Sequence, residues 1–192
     1  MRPRHVFPGV IGVLFLAGCA STADEVERAA STSSVRSVQV SETFQTGTGP
    51  AITYDEEQVP AGARGAVQSR SGEGTTTVML AVRSLAPQRM YGAHVHSRPC
   101  GERPDDAGPH FQYSVDPVQP SVDPTFANPQ NEIWLDFTTD ATGAGSTEST
   151  VAWTFPSDRR PGSVIVHAMQ TSTEPGKAGT AGDRVACISV DF

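Results

Sequence analysis

Beyond residue 50 the chain never sustains a helical repeat for ten residues, and this absence constrains its fold more than any other feature. Short runs of β-branched, aromatic and small apolar residues alternate instead with clusters of Gly, Pro and Asp. With 18 Gly and 15 Pro in 192 residues, most runs end before a helix could be established. Eight runs read as strands: 51–54, 64–69, 75–83, 92–97, 132–138, 147–154, 163–169 and 184–190. The run Thr75-Thr76-Thr77-Val78-Met79-Leu80-Ala81-Val82 is the clearest of them. Eight short strands at this spacing predict an all-β sandwich or barrel. The Pro-rich stretch 98–130 is too long for a hairpin, and a loop of that length in a compact domain is usually functional.

The first eighteen residues read differently. Arg2 and Arg4 precede an apolar stretch too short for a membrane span of roughly 20 residues, which is the pattern of a signal peptide over 1–18. Leu16-Ala17-Gly18-Cys19 matches a bacterial lipobox, which predicts cleavage before Cys19 and lipid on that cysteine. The expected location is the outer side of the cytoplasmic membrane, held by lipid rather than by a spanning helix. Residues 19–48 are rich in Ser, Thr and Ala and predict a flexible tether, leaving 49–192 as one domain. If Cys19 carries lipid, Cys100 and Cys187 remain as one pair in an oxidising compartment. Their loop of roughly 90 residues corresponds to roughly 4 kcal/mol in the chain-entropy model. A net charge of −7 argues against nucleic acid and anionic surfaces as partners.

Past residue 18 the histidines number four: His94, His96, His110 and His167. Alternation places His94 and His96 on one face of their strand, with Ala93 and Val95 on the other. His167 lies with Ile165 and Met169, opposite Val164, Val166 and Ala168. Three imidazoles can therefore project from the outside of a sheet while small apolar residues fill the core, and His110 on the long loop can fold over them. An H-x-H pair alone reads more readily as two satisfied strand histidines, and His110 alone as a loop residue. Four neutral imidazoles together form a ligand set suited to copper.

The order of the motifs narrows this further. Tyr91-Gly92-Ala93-His94-Val95-His96, Cys100, Ala107-Gly108-Pro109-His110-Phe111, Val166-His167 and Gly182-Asp183-Arg184-Val185-Ala186-Cys187 follow one another along the chain. The arrangement resembles the copper/zinc superoxide dismutases from about residue 51 to the C-terminus. That resemblance implies a Greek-key sandwich, as in that family. It also implies His94, His96, His110 and His167 as ligands to one copper, Arg184 as the arginine beside the open copper position, and a Cys100–Cys187 bridge pinning the His110 loop. The implied reaction is the conversion of superoxide to O2 and H2O2, which needs an ion that cycles by one electron and so excludes zinc as the working metal. Arg184 would be the local positive charge that draws the anion on an acidic protein.

The departures from the family are equally specific. No other histidine lies past residue 18 for a zinc site, the zinc aspartate falls at or near Asn131, and Thr171 stands where the family has a carboxylate linking the two metals. A structural zinc is therefore not expected, and the resemblance is to the copper-only branch of exported lipoproteins. Asp116, Asp123 and Asp136 are weak candidates for a metal beside His110. Met169 reads as a rim residue, Trp134 and Trp153 as core aromatics, and Arg98, Arg103 and Lys177 as solvated charges. The second functional reading is a protein that buffers or delivers copper on the same fold with little turnover. Oligomeric state is not legible.

Overall fold

The computed structural model describes residues 35–192; the expectations for the signal peptide and for lipid on Cys19 lie outside the described residues. Nine strands occur among the described residues: β1 (Arg36–Thr43), β2 (Ala51–Thr53), β3 (Arg64–Gly72), β4 (Thr75–Arg83), β5 (Met90–His96), β6 (Phe137–Thr138), β7 (Gly145–Val151), β8 (Ser163–His167) and β9 (Arg184–Ser189). One 3-10 turn, Pro104–Ala107, interrupts the long loop after β5. The first sheet has the order β1-β3-β4-β7 and the second β2-β9-β8-β5-β6, and every pairing within them is antiparallel. The chain leaves the first sheet after β4 and comes back from the second to lay β7 beside β4, a Greek-key return.

The core lies between the sheets. Val67, Val78, Leu80 and Val82 point inward from the first sheet, and Ala93, Val95, Val164, Val166 and Ile188 from the second. Phe44, Tyr91, Phe111 and Leu135 fill the ends and flanks. These residues hold the parity expected from the sequence, because a slip of one residue would turn every apolar side chain of a strand outward.

Two expectations are corrected. The tether assigned to 19–48 does not run to residue 48, because Arg36–Thr43 pairs with β3 over eight residues. Only Val38 and Val40 of β1 pack on the core, so composition gave little sign of a strand. Arg36 and Glu42 suit an edge position that discourages pairing with another chain. The strand expected over 132–138 is regular only at Phe137–Thr138. Its earlier part still follows β5, through Val95 N–H to the Ile133 carbonyl (3.2 Å) and Leu135 N–H to the Ala93 carbonyl (2.7 Å). The ladder breaks at Asp136, whose carboxylate takes the Ala93 N–H at 3.3 Å.

Candidate metal centre

Neighbouring strands bring the histidines together. Gly92 on β5 pairs with His167 on β8, and His94 lies two residues along β5 on the same outward face. The loop after β5 doubles back so that His110 forms a bridge with His96, fastened by the Phe111 N–H to the Val95 carbonyl at 2.8 Å. One nitrogen from each of the four rings then lies within 4.8 Å of the others. That spread is close to twice an imidazole–metal bond of about 2 Å.

The other nitrogens are all engaged. His96 Nδ1 lies 2.9 Å from the Gly108 carbonyl and His167 Nδ1 3.2 Å from the Gly182 carbonyl. Each ring donates there and presents Nε2. Gly108, at φ 75°, sits against Ser97 Oγ, where an added Cβ would come within 2.5 Å, so only glycine brings this carbonyl to His96. His94 is reversed: its Nε2 lies 2.7 Å from Thr171 Oγ1, which is in turn 2.6 Å from Asp136 Oδ1. Among the four rings, the atoms left buried without a partner are His94 Nδ1, His96 Nε2 and His167 Nε2. Three buried acceptors left open toward one point are what a metal site requires, since a buried polar atom without a partner is otherwise costly. Burial, reinforced by the neighbouring imidazoles and by Arg184, holds His94 and His96 well below the ordinary histidine pKa, and burial first and His110 second pull His167 down to about 3. These three rings are neutral at pH 7 and ready to donate a lone pair.

Sequence reasoning missed Glu132. It is 1% exposed, and its Oε2 accepts from His110 Nδ1 at 2.8 Å and from the Trp134 indole N–H at 2.6 Å. Its Oε1 accepts from Gln112 Nε2 at 2.8 Å. Trp134 therefore belongs to the surroundings of the site, 6.0 Å from His94 ring to ring, and is not a core aromatic. Trp153 is a core residue, stacked on Tyr113. Thr171, at the position expected to lack the family's linking carboxylate, lies directly behind His94. The aspartates named as weak ligands are used elsewhere. Asp136 meets Thr171, Asp116 accepts from Val118 N–H and Ser121 Oγ, and Asp123 accepts from Thr125 N–H.

Arg184 pairs across the sheet with His167 and stands at the mouth of the site. Its Nη1 donates to the Pro104 carbonyl at 2.9 Å and lies 3.7 Å from Asp105 Oδ1. Burial lowers the pKa of the guanidinium, and Asp105 works against that. The mouth, about 230 Å³, is lined by His110, His167 and Arg184 together with the stretches 119–122 and 179–182. The disulfide joins Cys100 to Cys187, so the loop that carries Pro104 and His110 is tied to β9 three residues beyond Arg184. Met169 is 58% exposed and rests against Gly182 on the rim. Arg98 and Arg103 are exposed, Arg103 paired with Asp106 at 3.0 Å, while Lys177 lies 3.6 Å from Glu174.

No family model matches the chain, and no curated protein does. Among solved structures it is similar to the Cu/Zn superoxide dismutase from Brucella abortus, with a TM-score of 0.51 and 20% identity, over 82% of this chain and 100% of that one. It is also similar to a double mutant of a SOD-like protein from Bacillus subtilis, with a TM-score of 0.50 and 15% identity, over 65% of this chain and 87% of that one. Likeness at such identity establishes the fold, a superoxide-dismutase-like β-sandwich.

Proposed function

We propose that this chain is a superoxide dismutase that uses one copper and no zinc, held by lipid on Cys19 at the outer face of the cytoplasmic membrane. The observation that carries the reading is the convergence of three partnerless buried nitrogens, on His94, His96 and His167, with His110 beside them. A set of neutral nitrogen donors without thiolate or carboxylate suits copper. Bound there, copper supplies the one-electron cycle between Cu(II) and Cu(I) that turns two superoxide anions and two protons into O2 and H2O2.

The chain's own residues supply the rest. The carbonyls of Gly108 and Gly182 aim His96 and His167, so their lone pairs are fixed before a metal arrives. Arg184, tied to Pro104, offers a positive charge at the mouth, where burial strengthens its pull on a small anion. Glu132 occupies the Nδ1 side of His110, so that nitrogen is taken by a carboxylate and is not open to a second metal. That engagement supports a one-metal site. The neighbours named superoxide dismutase and SOD-like protein support the chemistry through their fold.

The test is a copper titration followed by a superoxide-decay assay on the loaded protein. Expected are one copper per chain and decay far faster than with the same copper in buffer. Decay no faster than buffer copper would sink the reading, and tight binding without turnover would leave a copper-holding protein. Arg184→Ala should lower turnover roughly tenfold or more at low ionic strength while copper affinity stays. Cys19→Ala should move the protein out of the membrane fraction.

A further inference from the structure

We infer that Thr171 and Asp136 form a positioning pair that sets the tautomer of His94, and so decides that this residue presents Nδ1 to the metal. The inference rests on the metal-binding part of the proposed function and is independent of what the metal does.

The direction of each hydrogen bond follows from counting protons. Asp136 is an acceptor throughout: its Oδ2 takes the Thr171 N–H at 2.8 Å and its Oδ1 the Ala93 N–H at 3.3 Å. The Thr171 hydroxyl, 2.6 Å from Oδ1, therefore directs its one hydrogen to the carboxylate. Only a lone pair is left toward His94, so the proton of that bond belongs to His94 Nε2. Nδ1, buried and without a partner, is then the free donor. His96 and His167 reach the opposite tautomer by giving Nδ1–H to main-chain carbonyls. His94 needs a support of its own because it is turned the other way.

The fold makes room for this support in two places. Segment 133–138 follows β5 with the Ala93 carbonyl and N–H both facing it. The carbonyl is met by the Leu135 N–H, but the N–H is met by the Asp136 side chain. The ladder gives way where the carboxylate turns inward. Opposite, Gly92 lets the loop after β8 come close. A Cβ there would lie 2.7 Å from the Met169 carbonyl and 3.0 Å from Thr171 Oγ1. A negative charge relayed through a hydroxyl also makes the imidazole a stronger donor.

The test begins on metal-free protein labelled with 15N at histidine. His94 should show its proton on Nε2, in slow exchange. Thr171→Val keeps the shape and removes the hydroxyl. The fixed tautomer should be lost and copper affinity should fall roughly 10- to 100-fold, the usual cost of losing a ligand's orienting partner. Thr171→Ser should restore both, and Asp136→Asn should fall toward the valine variant. Unchanged amide signals from β3 and β4 report an intact fold. A His94 proton on Nδ1 in the unaltered protein would overturn the inference, as would a valine variant that kept the tautomer and the affinity. If the valine variant fails to fold, the wild-type tautomer and the serine variant decide. A tautomer that responds as expected in a protein without superoxide turnover would end the proposed reaction and leave this pair standing.

Discussion

The outer faces of the two sheets begin alike and end differently. On the first, Ser37, Gln39, Gln68, Arg70, Thr77, Met79 and Glu148 line an open shallow surface. Its polar groups meet water or one another, as Thr77 meets Thr150 at 2.8 Å. On the second, His94, His96 and His167 point outward in the same alternation yet are buried. The connections make the difference. Between β3 and β4 the chain turns in two residues, Glu73 and Gly74, both at positive φ, and has nothing with which to cover its sheet. After β5 the chain runs some distance before β6, and after β8 before β9, and these stretches roof the second sheet. Alternation decides which residues face out; loop length decides whether outward means solvent or a site. Once roofed, each polar atom needs a partner, and the ones still open mark where a ligand goes.

The sharpest way to break this contrast is to remove a roofed imidazole. His96→Ala should cost copper affinity at least about 100-fold, beyond what is usual for an orienting partner alone. Competition with a chromophoric chelator measures it. Affinity within tenfold of wild type would mean that the four rings do not act as one ligand set.

The disulfide comes next. Cys100→Ser with Cys187→Ser should lower unfolding free energy by about 2–5 kcal/mol, read as a shift in the denaturant midpoint against the unaltered protein. The bridge also fastens the roof, since it ties the His110 and Pro104 loop to β9. Copper affinity should therefore drop before the fold is lost, with β3–β4 amides still protected from exchange.

Acid separates the two faces more gently. His94, His96 and His167 have folded-state pKa values depressed by burial, His167 to about 3, against about 6.5 in an unfolded chain. Above pH 6.5 both states leave these rings neutral and nothing is lost. As pH falls below 6.5 the unfolded chain takes up protons first, so the stability of metal-free protein declines. The slope is up to about 1.4 kcal/mol per pH unit for each ring, continuing toward pH 3 for His167. Denaturant melts of metal-free protein between pH 7 and 4.5 measure it; a flat profile would mean the rings are open to water.

How much of this could be read from the sequence differs between the two faces in the same way. β4 matches the expected 75–83 at both ends, and the outward parity of the histidines follows from period-two alternation. Local pattern carries that information. β1 was hidden because two valines among polar residues look the same in a tether as on an edge strand. The surroundings of the site were hidden for another reason. His94 and Thr171 are 77 positions apart, and His110 and Glu132 are 22. Such contacts are made by the way loops return, which no local spacing encodes. Glu132, one residue beyond the zinc-aspartate position at Asn131, holds a ligand's proton and not an ion, a role that no spacing signals.

The smallest expected effect lies on the open face. Thr77→Val exchanges a hydroxyl for a methyl opposite Thr150 and gains β propensity. The hydrogen bond it removes is exposed, so water replaces the lost partner and no buried group is stranded. Stability should move by no more than about 0.5 kcal/mol in either direction, and copper affinity should not move. The same change at Thr171 removes the same hydroxyl, but there the stranded atom is His94 Nε2 beneath the roof. One substitution made twice, read by denaturation and by copper binding, therefore isolates the roof as the variable. Equal effects at the two positions would show that burial by the loops is not what distinguishes the sheets.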